Sequence, residues 1–305
     1  MSPAGTAAPP FGRVVTAMVT PFRGDGSVDV DAALALATYL VDTGHDGVVV
    51  NGTTGESPTT TDEEKALLVA EVVAAVGDRA VVVAGAGTND TRHTIALARQ
   101  AAEAGALGLL LVTPYYSKPP QDGVLAHFRA AADATDLPCM LYDIPGRSAT
   151  AIATDTLLRL AEHPRIVAVK DAKADLFASA DVMSQTSLAY YSGDDALNLA
   201  HLANGAVGMV SVVGHVAGRR HAELVAAVDS GDLPRAREVA RSLIPAVRGI
   251  MTRGQGAVMA KAALQLTGVL DGRDVRLPLL PASDAQVDLL RGDLAHAGLL
   301  GTAAT

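Results

Sequence analysis

Short, β-branched apolar runs alternate along the chain with longer stretches whose apolar residues recur every three or four positions. The runs are "RVVTAMVT" (13–20), "GVVVNGT" (47–53), "AVVVAGAG" (80–87), "LGLLLVTP" (107–114), "PCMLYDIP" (138–145), "IVAVKDA" (166–172), "LAYYSGD" (188–194) and "GAVGMVSV" (205–212). Their apolar residues are continuous and do not alternate with polar ones, which predicts strands covered on both faces, as parallel strands under helices are. Helical spacing falls over 29–43, 62–76, 91–104, 122–134, 154–162 and 175–185. Asp and Thr near the starts, as in "TTTDEEK" and "TNDTRH", predict N-caps, and Gly44, Gly77 and Gly105 predict C-terminal stops. Eight strand signals interleaved with helical chain predict an α/β fold, a (β/α)8 TIM barrel.

After "SGDLPRAR" the strand signals cease, and helical spacing continues over 234–252, 255–267 and 283–297. The expected organisation is an N-terminal leader over 1–12, a catalytic barrel over 13–233 and a helical C-terminal extension over 234–305. The extension carries no chemical motif.

Composition narrows the function. With 305 residues, 49% of them apolar and 19% charged, the chain is large enough for one substantial core plus an appendage. A net charge of −9 argues against nucleic acid or an anionic membrane as a partner. No apolar run reaches the length of a membrane span, and "MSPAGTAAPPFGR" lacks the basic and apolar regions of a signal peptide. The single cysteine, Cys139, excludes an intrachain disulfide. These features predict a cytoplasmic protein.

Barrel enzymes place their chemistry at the C-terminal ends of the strands. Those ends carry Thr53 and Thr54 in "NGTTGES", Tyr115 and Tyr116 in "VTPYYSKPP", Tyr142 and Arg147 in "LYDIPGRS", Lys170 in "VAVKDA", and Gly193, Asp194 and Asp195 in "YSGDDA". A lysine at a strand end can simply lay its stem on the core and its head in water. The sharper reading is a nucleophile: apolar walls such as Ile166, Val167 and Val169 disfavour the ammonium form and free the amine to attack a carbonyl carbon. Threonine pairs are often turn formers and tyrosines often core residues, but their collection at one rim, around one of five lysines in the chain, favours a site. "GAGTND" (85–90) lacks the last glycine of a dinucleotide fingerprint and reads as a strand-to-helix turn. The histidines show no metal-ligand spacing, so no metal is expected. Asp194 and Asp195 read as caps of the following helix.

"NGTTGESPTTT", "VTPYYSKPP", "LYDIPGRS", "VKDA" and "SGDDA", in this order and spacing, resemble the pyruvate-dependent class I aldolases, and within them the dihydrodipicolinate synthase family. The resemblance spans nearly the whole chain. It implies that Lys170 forms a Schiff base with pyruvate without metal or organic cofactor, and that Tyr142 is the general acid/base in a relay with Thr53 and Tyr116. It further implies that Thr54 holds the pyruvate carboxylate, that Arg147 receives the carboxylate of aspartate semialdehyde, and that Gly193 and Val210 line the same pocket. The Tyr116 equivalent is lent by a neighbouring subunit in this family, so a homotetramer built as a dimer of dimers is expected.

Lysine-inhibited members bind the end product through polar residues at the dimer interface. Here Pro58, Asp62, Lys65 and His93 stand at several of those places, while Asn89 and Tyr115 still match. A cationic Lys65 would repel free lysine, so weak feedback is expected. Two other functions fit the same residues: a sibling lyase acting on a 2-keto-3-deoxy acid through the same imine, and a non-catalytic keto-acid-binding barrel. The complete set of Lys170, Tyr142, Thr53 and Tyr116 speaks against the second.

Overall fold

The structure, a computed structural model, describes residues 9–300. Eight parallel strands close into a barrel in chain order: β1 Val14–Ala17, β2 Gly47–Val50, β3 Val81–Gly85, β4 Gly108–Val112, β5 Cys139–Asp143, β6 Ile166–Asp171, β7 Ala189–Ser192 and β8 Gly208–Ser211, which pairs back onto β1. Each expected run contains one strand. Around them lie α1 Val30–Asp42, α2 Asp62–Val76, α3 Thr91–Glu103, α4 Gln121–Ala132, the single turn α5 Pro145–Ser148, α6 Thr154–Leu160, α7 Leu176–Gln185, α8 Asn198–Ala203 and α9 Gly214–Asp229.

The strands are apolar throughout because each buries two faces. Val49, Val83, Leu110, Met140, Ala168 and Tyr191 fill the barrel interior, while their neighbours Val48, Val82, Leu109, Leu141, Val169 and Tyr190 pack under the helices. With the two-residue period of a strand, Tyr142 follows Met140 and Lys170 follows Ala168 to the interior side. Local capping agrees with the chemistry of the sequence. Thr61 and Glu64 form a reciprocal capping box on α2, Asp29, Asp90 and Asp175 cap α1, α3 and α7, and Gly44 and Gly105 adopt left-handed backbones just beyond α1 and α3.

Most of the expected leader, residues 1–8, lies outside the described residues. The described end of that stretch is packed: Phe11 is fully buried at the N-terminal mouth of the barrel. Its amide donates to Tyr191 Oη at 3.1 Å, and a Cβ at Gly108 would lie 2.3 Å from its ring.

The helical tail comprises α10 Leu233–Val247, α11 Gly256–Leu266 and α12 Asp284–His296. The single helix expected over 234–252 is instead α10 followed by a π-helical turn, Arg248–Thr252. Pro245 inside α10 removes an amide donor just before the ladder widens. Nine consecutive residues of α11, Gly256 to Leu264, are buried, so this helix is a core element of the whole molecule. Among the described residues no helix is long and apolar enough to cross a membrane.

Candidate active site

Lys170 and Tyr142 are the penultimate residues of β6 and β5, and the barrel register places them directly side by side. The Lys170 ammonium lies 4.2 Å from the centre of the Tyr142 ring. Both side chains are withdrawn from water, Lys170 to 3% exposure. Burial lowers the Lys170 pKa to about 7, with the nearby Asp195 carboxylate opposing the shift and the Arg147 cation adding to it. Burial raises Tyr142 to about 12, opposed by Arg147 and reinforced by Asp194. Near neutrality the pair therefore offers a lysine that is substantially free amine beside a phenol that retains its proton.

Gly193 explains how Lys170 fits. A Cβ there would stand 2.9 Å from Lys170 Cγ and 3.0 Å from the Asp171 carbonyl oxygen, so a side chain would displace the lysine stem. Val210, near the end of β8, belongs to the same interior cluster as Tyr142.

Beside the Tyr142 ring opens a cavity of about 330 Å3, bordered by Thr53, Tyr115, Tyr142, Ile144 and Arg147 among others. The size suits small polar metabolites. Arg147 reaches it from α5, whose start is set by Pro145 and whose end is pinned by the Ser148 hydroxyl donating to the Ile144 and Thr150 carbonyls at 3.0 and 2.8 Å. Thr53 stands on the turn after β2, and buried Thr54 follows it without bordering the cavity. Two glycines bring strand ends together here: a Cβ at Gly85 would lie 2.3 Å from the Asn51 carbonyl oxygen, and one at Gly87 2.4 Å from the Val112 amide. This is why "GAGTND" carries glycines while serving only as the turn from β3 to α3.

The structure brings Lys170, Tyr142, Gly193 and Val210 together in the barrel, and Thr53, Tyr142 and Arg147 around the cavity. Tyr116 stands apart: it is 88% exposed and holds a left-handed backbone, φ +73°, while its neighbour Tyr115 borders the cavity. The two aspartates divide their work. Asp194 accepts from the Ala196 amide as a cap, whereas Asp195, expected as a cap as well, accepts from the Val212 and Val213 amides at 2.8 and 2.9 Å and from the Ser211 hydroxyl. It thus ties the end of β8 to the loop after β7.

Lys65 differs from its expected presentation. Its ammonium is buried and donates to the Thr60 carbonyl at 2.5 Å, with Asp62 at 4.0 Å, while His93 pairs with Asp62. The cation is thus turned inward and does not face an open site.

Three residues that meet next to the Thr53–Thr54 turn are not evident from strand-end reasoning: Glu56, Lys261 and Arg276. Glu56 lies within "NGTTGES", but its buried carboxylate is engaged by Lys261 Nζ at 2.5 Å and the Arg276 amide at 3.0 Å, both from the helical tail.

Comparison with known proteins agrees with this geometry. The model of the dihydrodipicolinate synthetase family matches residues 10–297. A 4-hydroxy-tetrahydrodipicolinate synthase of Kineococcus radiotolerans is 63% identical over 300 residues, 97% of each chain. The crystal structure of a dihydrodipicolinate synthase from Bacillus anthracis superposes with a TM-score of 0.91 at 42% identity, covering 93% of this chain and 98% of that one. The enzyme from Cyanidioschyzon merolae, solved with lysine bound, gives 0.92 at 41% identity, over 95% and 99%. The barrel, the paired Lys170 and Tyr142 and these likenesses over nearly the full length lead to one conclusion: the chain belongs to the dihydrodipicolinate synthetase family.

Proposed function

We propose that the chain is a Schiff-base-forming lyase that condenses pyruvate with L-aspartate 4-semialdehyde to 4-hydroxy-tetrahydrodipicolinate, the first committed step of diaminopimelate and lysine biosynthesis. The observation that carries the reading is the buried Lys170, with its pKa near 7, against the Tyr142 ring at the C-terminal end of the barrel. The Lys170 amine attacks the pyruvate ketone, water leaves, and the imine draws a proton from the methyl carbon to give an enamine. The enamine carbon bonds to the aldehyde carbon, whose oxygen takes a proton. The amino group of the semialdehyde then attacks the imine carbon, closing the ring and releasing Lys170. One water is lost overall.

Each step moves a proton close to Lys170, and Tyr142 stands beside it. Thr53 and Tyr116 complete the relay in this reading, Thr54 with neighbouring amides holds the pyruvate carboxylate, and Gly193 and Val210 shape the pocket. Arg147 on the cavity wall suits a carboxylate of the second substrate, since its planar fork can donate two hydrogen bonds. This favours the semialdehyde over the sugar acid of a sibling lyase. In this reading the relay is completed by Tyr116 of a neighbouring subunit in a cytoplasmic homotetramer, and the exposure of Tyr116 on a single chain supports that exchange.

Weak feedback by lysine remains part of the reading. It rests on Pro58, Asp62 and His93, which stand at places where lysine-inhibited relatives carry other polar residues; the Lys65 cation, turned inward onto the Thr60 carbonyl, contributes less than its charge alone suggests. A clear inhibition curve at submillimolar lysine would contradict it. The reaction itself is tested by condensation of the two substrates coupled to a dipicolinate reductase. Turnover in the ordinary range of about 1 to 10³ per second supports the synthase. Pyruvate imine without turnover would move the chain to a sibling lyase.

A further inference from the structure

We propose that Lys261 and Arg276 are positioning residues for the condensation: Lys261, by gripping Glu56, and Arg276, by holding Thr59 and Glu64, together fix the turn that carries Thr53 and Thr54 at the mouth of the site. The inference rests on the proposed function and assigns the helical tail a direct part in it.

The clasp is built from three separate stretches of chain. Glu56 follows Thr53, Thr54 and Gly55, and its backbone is left-handed, φ +55°, where a residue other than glycine is strained. Its amide donates to the Thr53 carbonyl at 3.2 Å, and the Gly55 carbonyl accepts from the Thr20 hydroxyl at 2.7 Å. Glu56 is therefore tied directly to Thr53, with Thr54 and the anchored Gly55 lying between them in the same turn. Its side chain is 1% exposed and accepts from Lys261 Nζ, itself 1% exposed, and from the Arg276 amide.

Lys261 is fixed in turn. Its ammonium also donates to the Asp274 carbonyl at 2.7 Å and lies 4.3 Å from the centre of the Phe22 ring. The Arg276 guanidinium lies 4.4 Å from the same ring, donates to the Thr59 and Gly26 carbonyls at 2.7 and 2.9 Å, and forms a two-pronged pair with Glu64. Glu64 is also the residue that closes the capping box at the start of α2. The loop from Thr53 to Thr61 is thus held at one end by the β2 strand, at the other by α2, and in its middle by the tail. A buried ion pair is a weak source of net stability, because two desolvated charges must first be taken from water. One that holds a strained residue beside substrate-binding groups has a geometric use, and small misplacements of such groups reduce rates sharply.

The test compares Glu56→Gln, the charge-free pair Glu56→Gln with Lys261→Met, and Arg276→Ala, which keeps the buried ion pair and the backbone amide bonded to Glu56, removes only the guanidinium's hold on Thr59, Gly26 and Glu64, and keeps the test open if the others do not fold. The control is Leu290→Ala, a buried α12 residue outside the clasp that lowers Tm without touching the turn. Two readouts are taken well below Tm: borohydride trapping of pyruvate on Lys170 as a function of pyruvate concentration, and kcat in the coupled assay. Positioning predicts that folded clasp variants need about tenfold or more pyruvate for half-maximal trapping and lose kcat by a similar factor. Glu56→Gln, which keeps a side-chain acceptor for Lys261, should be milder than the pair, and Leu290→Ala should match the wild type in both readouts. Clasp variants that lose Tm yet trap pyruvate and turn over as the control does would overturn the proposal. If the wild type traps pyruvate but does not condense the semialdehyde, the synthase reading fails while the trapping curves still decide the clasp.

Discussion

Lys170 is held at the expense of stability. Its pKa falls from 10.5 in the free side chain to about 7 in the fold, so between those values the unfolded chain binds the extra proton. The sign follows: stability rises with pH from about 7 to 10.5, and the penalty is present in full below 7. Replacing the ammonium with a methyl-thioether, Lys170→Met, should raise the unfolding free energy near pH 6 by up to roughly 5 kcal/mol, the whole linkage for a shift of this size. Denaturant unfolding of wild type and variant at pH 6 and pH 10 checks it, and an equal difference at the two pH values would contradict it. The same titration governs chemistry. Single-turnover imine formation should fall about tenfold per pH unit below 7 and level off above, since only the free amine attacks. Tyr142 keeps its proton throughout this range, its own pKa lying near 12. Arg147→Ala should raise the KM for the semialdehyde and leave the pyruvate half-reaction nearly unchanged, read by comparing turnover with trapping.

At the scale of elements, chain segments do what their patterns predict where the pattern is local. The eight strands were legible because every strand is buried on both faces and so leaves an unbroken apolar run. α8 and α9 were not named by spacing. α8 has six residues, too few for the period to repeat, and the first half of α9, "GHVAGRRH", mixes glycine, arginine and histidine across its stripe. Of the site, Lys170, Tyr142, Thr53 and Arg147 could be read from strand ends and motifs. The clasp could not, because Glu56 and Lys261 are 205 positions apart and no local rhythm links them. The end of β7 offers a sharp test. Gly193→Ala would place a methyl 2.9 Å from Lys170 Cγ, on a lysine whose strand is flanked by β5 and β7. Activity should drop about tenfold to a hundredfold, with a loss of roughly 1–3 kcal/mol in stability. Normal kinetics would show that the stem has room to move.

For the whole molecule, the exposed Tyr116 is the feature a single chain leaves unexplained. If it completes the relay of a neighbouring subunit, two inactive variants should rescue each other. Co-expressed Lys170→Ala and Tyr116→Phe chains form mixed dimers in which one site has both the lysine and the borrowed tyrosine. Random pairing then predicts about a quarter of wild-type activity, because half of the dimers carry one good site of two. Activity no greater than that of the variants mixed after separate folding would place Tyr116 outside the relay.

All of this depends on Lys170 being the residue that meets pyruvate. The most direct test is borohydride reduction of the protein with pyruvate, followed by peptide mass mapping. The account predicts a single reduced pyruvate adduct on Lys170, absent from Lys170→Ala and Lys170→Arg proteins that remain folded. An adduct on Lys173, Lys261 or any other amine in the wild type, or its survival in the Lys170 variants, would contradict it.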